Sequence, residues 1–197
     1  MNTLRLMVLS LCFVLLGCEI FESVPPEQKY LFDVYYVNYA WGFTLRGIYI
    51  DKNGDMFSYQ VSPTDTLSRD SLRIFHRYGV NITERDLDIK FSFNKKFIKN
   101  ISPAIAVKKL GDLYNVPLNT YSDTLGTGAD MGAYVHSGYI YDVKSNTYRE
   151  VQLKVTGDLS YYNTSKNATE LVDWLDEITK DVINPPFREK SNFPLSR

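Results

Sequence analysis

Side chains that commonly carry out chemistry are scarce in this sequence. The 197 residues include two histidines, His76 and His136, and two cysteines, Cys12 and Cys18. A zinc site needs three or four ligands at workable spacing, and neither histidine has a second histidine or a cysteine within a turn. The sequence also lacks the serine-elbow and zinc-protease motifs. We therefore predict no catalytic residue, no metal site and no cofactor.

Two short segments have the composition of ligand-binding loops. Residues 51–55, DKNGD, begin like a calcium-binding EF-hand loop, but Met56 stands where that loop needs glycine and Ser62 where it needs glutamate. Residues 126–132, GTGADMG, have glycines like a dinucleotide-binding loop, but the last spacing is one residue too long and a strand pattern follows. We interpret the first segment as a hairpin turn and the second as part of a loop over 117–132.

Aromatic residues are the remaining candidates for ligand binding. The chain has 15 tyrosines, and many lie in or near segments whose polarity alternates as in β-strands. A tyrosine-rich sheet face could stack on sugar rings, although aromatic residues are favoured in strands in any case and many should be covered by helices. The candidates for a binding face are Trp41, Tyr49, Tyr59, Tyr139 and Tyr141.

The N-terminal residues have the layout of a secretory signal peptide. Arg5 is followed by eleven mostly apolar residues, 6–16, and then by Gly17 and Cys18. A transmembrane helix needs roughly 20 apolar residues, so this run is too short to span a membrane. The sequence LLGC, residues 15–18, resembles the lipobox of bacterial lipoproteins, in which the signal is cleaved before the cysteine and the cysteine is lipidated.

The lipobox resemblance implies that Cys18 is the first mature residue and a lipid anchor. Its thiol would carry a diacylglycerol and its amino group a further acyl chain, and two chains already anchor a protein stably. Inner-membrane lipoproteins of Gram-negative bacteria tend to have aspartate after the cysteine, so Glu19 implies the outer membrane. Because Cys12 lies in the predicted signal, the mature chain would have neither a free thiol nor an internal disulfide.

The remaining sequence predicts one domain with flanking segments. We assign a lipoprotein signal to residues 1–17, the lipidated cysteine and a tether to 18–29, a single domain to 30–182 and an irregular tail to 183–197. The chain has 22 lysines and arginines against 23 acidic residues. That balance gives no long-range attraction to nucleic acid, which is therefore not an expected partner.

Two hairpins are the strongest secondary-structure signals. Asn53-Gly54 separates two alternating segments and predicts a hairpin near 46–61 with a type I′ turn, in which both central residues need positive φ. Alternating segments on either side of Ser145-Asn146 predict a second hairpin. Residues 30–39 are predicted as a neighbouring strand.

Helices are predicted in the middle and near the end of the chain. Residues 65–79 have apolar side chains at helical spacing, and Ser102-Pro103 has the pattern of a helix start. The segment after Thr83 fits a helix or a strand, and we predict a helix. The residues after Ser165 form the clearest amphipathic helix. Together these elements predict an α+β domain, an antiparallel sheet of hairpins with helices packed on one face.

Much of the mature chain also resembles a group of small, uncharacterised lipoproteins of Bacteroidota. The resemblance rests on residues 32–59, which include VNYAWG and the first hairpin, on FNKKFIKNI, and on residues 138–175, which include the second hairpin and the start of the terminal helix. It implies no activity for any residue.

The sequence therefore favours a non-enzymatic, membrane-anchored envelope lipoprotein with a binding or structural role, whose partner is a protein or a glycan. One alternative is a hydrolase of envelope polymers that uses His136 or Asp130, where a strand meets the glycine-rich loop. The others are an inhibitor or immunity-type lipoprotein and a glycan-binding module.

Overall fold

The computed structural model describes residues 28–40, 43–61, 81–126 and 128–182. These residues form nine strands and three helices. The strands are β1 (Tyr30–Asn38), β2 (Thr44–Asp51), β3 (Asp55–Val61), β4 (Asn81–Ile82), β5 (Lys96–Asn100), β6 (Leu125–Gly126), β7 (Ala133–Asp142), β8 (Thr147–Gly157) and β9 (Leu159–Tyr162). The helices are α1 (Glu84–Ser92), α2 (Pro103–Tyr114) and α3 (Lys166–Thr179).

The nine strands form one antiparallel sheet. Eight of them follow the order β5-β3-β2-β1-β7-β8-β9-β6, and the short β4 pairs with β8. β1 lies in the middle, since it pairs with β2 on one side and with β7 on the other. The N-terminal segment of the domain therefore enters the sheet through a central strand.

Both predicted hairpins are confirmed, but the type I′ turn is wrong. The loop between β2 and β3 has three residues, 52–54, and the N–H of Gly54 donates to the carbonyl of Asp51 at 3.0 Å. Gly54 has a φ of 76°, whereas Asn53 is not among the described non-glycine residues with positive φ. A three-residue loop combines a type I turn with a left-handed residue, so one glycine is sufficient. In the second hairpin Asn146 takes the left-handed conformation, with a φ of 54°.

The helix starts predicted at Thr83, Ser102-Pro103 and Ser165 are confirmed. The Thr83 hydroxyl accepts from the N–H of Asp86, and the Asp86 carboxylate accepts in return from the N–H of Thr83. This reciprocal capping selects the helical alternative for the segment after Thr83. The helix predicted over 65–79, the signal over 1–17 and the tail over 183–197 lie outside the described residues.

Apolar residues cover both faces of the sheet. We call one side the tyrosine face; its buried residues are Tyr30, Tyr35, Val37, Phe43, Leu45, Tyr49, Tyr59, Val61, Ile82, Leu87, Phe91, Val135, Tyr139, Tyr141, Tyr148 and Val155. We call the other side the aliphatic face; its buried residues are Leu31, Phe32, Val34, Ile48, Ile50, Met56, Ala106, Leu110, Leu113, Val116, Ile140, Val151, Leu153, Ala168, Leu171, Val172 and Leu175.

The antiparallel sheet with helices confirms the predicted α+β class, but the placement of all helices on one face is not confirmed. α1 contributes Leu87 and Phe91 to the tyrosine face, whereas α2 and α3 contribute their apolar residues to the aliphatic face. The physical reason is that the central strands are apolar on both sides. In β1, Phe32 and Val34 belong to the aliphatic face and Tyr35 belongs to the tyrosine face.

Candidate functional site

The tyrosine face encloses a group of ionisable side chains. Asp33 on β1 and Lys90 on α1 form an ion pair in which Nζ of Lys90 lies 2.7 Å from Oδ2 of Asp33, and both side chains have 0% exposure. Alternation along β1 places Asp33 on the same side as Tyr35. Lys90 lies three residues after the buried Leu87, on the inner side of α1.

Two tyrosine hydroxyls complete the environment of the Asp33 carboxylate. The Tyr59 hydroxyl lies 3.1 and 3.0 Å from its two oxygens, and the Tyr139 hydroxyl donates to Oδ2 at 3.3 Å. Lys90 also donates to the Tyr139 hydroxyl at 3.2 Å. The buried carboxylate is thus surrounded by donors from β3, β7 and α1, which is the arrangement that a buried charge requires.

The Lys90 ammonium also lies among aromatic rings. Its Nζ is 4.1 Å from the ring centroid of Tyr35. The centroids of Phe91, Tyr59 and Tyr139 follow at 5.4, 5.9 and 6.0 Å. Rings within about 6 Å of a cation attract it through their quadrupoles, most strongly where water is excluded. The protein's own lysine therefore occupies this aromatic cage.

A second carboxylate extends the cluster to β8. The Tyr35 hydroxyl donates to Oε1 of Glu150 at 3.1 Å, and the Ser137 hydroxyl donates to the carbonyl of Asp33 at 3.3 Å. Burial raises the pKa of Glu150, an effect that the charge of Lys90 partly offsets. We call the set of Asp33, Lys90, Tyr35, Tyr59, Tyr139, Ser137 and Glu150 the buried polar cluster.

Burial dominates the acid–base properties of the buried polar cluster. It raises the pKa of the Asp33 carboxyl, while Lys90 and the hydroxyls of Tyr59 and Tyr139 counteract it. Burial also holds the pKa of the Tyr35, Tyr59 and Tyr139 hydroxyls well above the ordinary value. The hydroxyls therefore remain protonated donors at neutral pH, and the cluster joins β1, β3, β7, β8 and α1 through polar contacts.

Four of the five predicted binding aromatics are core residues, which corrects their assignment to an exposed face. Tyr59 and Tyr139 belong to the buried polar cluster, and Tyr49 lies between two rings with centroid distances of 4.2 Å to Phe91 and 5.2 Å to Phe57. Tyr141 is buried too. Phe91 of α1 packs on the rings of Tyr49, Tyr59 and Tyr139, and Tyr141 packs on Tyr148. A sugar could therefore not stack on these buried rings. Trp41, Cys18 and His76 lie outside the described residues.

The structure does not place the two residues suggested for a hydrolase in one cluster. His136 contacts α3, where its Nε2 lies 2.9 Å from Oδ1 of Asp176. Its Nδ1 is buried and has no hydrogen-bond partner among the residues that the structure describes. Asp130 is in the loop before β7, with a φ of 66°, and its carbonyl accepts from Asn38 at 3.1 Å.

Sequence reasoning missed Asp33, Lys90 and Glu150. A signal for the first two was present, since Asp33 interrupts the apolar run YLFDVYYV and Lys90 lies on the same helical side as Leu87 and Phe91. A charge of each sign on an otherwise apolar surface is the pattern expected of a buried pair. No local pattern indicates which acid and which base are partners.

Among the described residues, no group of three His, Cys, Asp or Glu side chains is placed to hold a metal ion. The helices described here are also too short or too polar to cross a membrane. Comparison with protein-family models, with curated proteins and with solved structures gives no match for this chain.

Proposed function

We propose that this protein is a lipid-anchored lipoprotein of the bacterial cell envelope, in the outer membrane, with a non-enzymatic binding or structural role. The anchor is Cys18, which follows the signal-like residues 1–17 in the lipobox pattern LLGC. Support for this part of the proposal comes from the sequence. Support for the non-enzymatic part comes from the chemistry of the buried polar cluster.

The observation that carries the non-enzymatic role is that the cluster's reactive groups are engaged with one another. Lys90 and Asp33 have 0% exposure and form an ion pair, and the hydroxyls of Tyr59 and Tyr139 bind the same carboxylate. A catalytic acid or base must come within hydrogen-bond reach of its substrate. Here the positions within hydrogen-bond reach of Asp33 and Lys90 are occupied by tyrosine side chains. We infer that the cluster fixes the sheet to α1.

The way the chain enters the domain fits an anchored protein. The Gln28 amide donates to the carbonyl of Tyr139 at 2.7 Å, and the N–H of Lys29 donates to the Tyr148 hydroxyl at 2.8 Å. The last two residues of the proposed tether are therefore tied to β7 and β8 before β1 begins. An anchor attached here would hold the domain through the centre of its sheet.

Among the partner classes that an envelope protein can have, a protein fits better than a glycan, because the tyrosines proposed to stack on a sugar are buried. A hydrolase is supported less, since Nδ1 of its candidate base, His136, is enclosed. An inhibitor or immunity-type lipoprotein is one form of the proposed binding role.

The test compares wild type with Cys18→Ala after expression in a Gram-negative host. Mass spectrometry of the membrane fraction should show wild-type chains that begin at an acylated Cys18, while Cys18→Ala should lack acylation and membrane retention. Cys12→Ala is the matched control, since it removes the other cysteine but leaves the lipobox intact. Acylation should persist in that variant.

Wild-type chains that keep residues 1–17 and carry no acyl group would contradict the anchor. Turnover of an envelope polymer by the purified protein, lost in a variant of one described side chain, would contradict the non-enzymatic role.

A further inference from the structure

Strand β5 forms one end of the sheet and carries an exposed aromatic and basic surface. Within the described residues, β5 pairs with β3 alone. Phe97 is 59% exposed. Lys95, just before the strand, and Lys96, its first residue, are exposed as well. A strand in this position leaves backbone N–H and C=O groups available to a further strand.

The aromatic part of this surface is ordered by ring contacts. Phe97 packs edge-on against the half-buried Phe57, with 5.7 Å between ring centroids, and Nζ of Lys95 lies 3.9 Å above the Phe57 ring. Phe57 in turn stacks on the buried Tyr49. The exposed Phe97 ring is thus the outermost member of a row that begins in the core.

The charges along β5 have one sign. Lys96 forms no ion pair with any described carboxylate. The pKa of Glu177 is lowered mainly by its hydrogen bond with Lys180, and the charge of Lys99 adds to that effect. The acid nearest the end of the strand, Asp55, accepts from the Asn100 amide at 2.7 Å. Lys96 therefore offers a positive charge without an ion-pair partner among the described residues, next to the exposed Phe97 ring.

The charges of β5 favour some binding partners of this strand over others. Lysines on an edge strand oppose pairing with a second copy of the same strand, because like charges would face each other. A strand that carries carboxylates would instead gain from the charges of β5 and could place an apolar side chain on Phe97. The surface is therefore complementary in charge to an acidic extended segment, but not to a second copy of β5.

We propose that β5 binds an extended, acidic segment of a partner protein, which adds to the sheet as a further strand. The inference rests on the binding role proposed above and names its partner class. Main-chain hydrogen bonds along β5 supply affinity, while Phe97 and the lysines select the sequence.

The experiment uses the full-length protein purified from membranes in mild detergent and fluorescein-labelled peptides of about six residues, the usual length of a strand. One peptide alternates Glu with Val, and the control peptide alternates Lys with Val. Fluorescence anisotropy should show binding of the Glu peptide alone, and added salt should weaken it because the charges are exposed.

Two variants of β5 locate the site. Lys96→Glu should weaken binding about fivefold or more by charge reversal, and Phe97→Ser should weaken it by removal of the apolar contact without a change in charge. Lys144→Glu is the matched control, since it makes the same charge change in the turn between β7 and β8. Binding should be unchanged in that variant.

Equal binding of both peptides, no binding of either, or an equal effect of Lys96→Glu and Lys144→Glu would overturn the inference. Dimers of the purified protein that dissociate in Phe97→Ser would also overturn it, by identifying a second copy as the occupant. These outcomes are independent of acylation at Cys18. If the protein is acylated at Cys18 but does not bind the Glu peptide, only the β5 site is refuted. If the protein is not acylated but binds the Glu peptide, only the anchor is refuted.

Discussion

Replacement of Lys90 by methionine should destabilise the protein strongly, because it leaves the Asp33 carboxylate buried without its cation. Methionine retains most of the apolar length of the lysine side chain, so little packing is lost. Asp33 would keep its bonds from Tyr59 and Tyr139 but lose the 2.7 Å contact with Nζ. Removal of one member of a buried pair typically costs about 3–5 kcal/mol, and we expect a loss of that size near pH 7.

The loss should depend on pH with a defined sign. Burial raises the pKa of Asp33 and Lys90 counteracts it, so Lys90→Met should raise that pKa further. A carboxyl with a raised folded-state pKa costs no stability below the unfolded value near 3.9, and the cost grows by about 1.4 kcal/mol per pH unit up to the folded pKa. The Glu150 carboxyl acts in the same direction, since Lys90 also lowers its pKa. The deficit of Lys90→Met should therefore be smallest near pH 4 and largest at neutral pH.

Urea unfolding of the chain from Glu19 onward, followed by tryptophan fluorescence at several pH values, measures this deficit. Lys166→Met is the control, because its ion pair with Glu170 is exposed and should change the free energy of unfolding by about 0.5 kcal/mol or less. In Lys90→Met/Asp33→Asn much of the loss should be recovered, since the carboxylate that Lys90 contacts is then absent and only that of Glu150 remains in the cluster. A deficit for Lys90→Met below about 1 kcal/mol at pH 7, or one that is equal at pH 4, would refute this reasoning.

Three further predictions concern backbone conformation, capping and tyrosine ionisation. Gly54→Ala should destabilise by more than about 1 kcal/mol, because φ is 76° and the new Cβ would lie 2.1 Å from the Ile101 carbonyl oxygen. Gly111→Ala, in a helix with open space at that position, should stabilise by about 0.5–1 kcal/mol, and thermal unfolding compares the two. Ser165→Ala removes the acceptor for the N–H of Ala168 and should cost about 1 kcal/mol in urea unfolding. Because burial raises the pKa of Tyr148 to about 12, its stabilisation is present below pH 10 and lost as pH rises through 12, which an alkaline absorbance titration with parallel unfolding curves should show.

Local features of this fold were predictable because they depend on neighbouring residues. The turn at Asn53-Gly54 and the caps at Thr83 and Ser165 each need a few adjacent side chains, and all three appear where expected. The turn type was predicted wrongly, because it depends on whether the loop closes with two residues or three. That choice is made by the pairing of Ile50 with Met56 across the hairpin.

The buried polar cluster was not predictable to the same extent, because its members come from distant parts of the chain. Asp33 and Lys90 are 57 residues apart, and Tyr35 and Glu150 are 115 apart. The tyrosines were recognised as unusual but interpreted as an exposed face. Tyr49, Tyr59 and Tyr139 pack against Phe91 of α1, a contact that no alternation within a strand could reveal.

The pairing of β1 with β7 determines when the domain can fold. β1 can pair with β2 as soon as both have been synthesised. Its other neighbour, β7, lies about a hundred residues later in the chain, with Phe32 opposite Gly138. Contacts between such distant segments form slowly because a long loop must close first. During synthesis we therefore expect β1, β2 and β3 to be complete before β7 is available to pair with the other side of β1. We expect the chain to remain incompletely folded until β7 has been synthesised, and a strand exposed in that state is prone to aggregate. Such a delay would suit the export that the proposed lipid anchor needs.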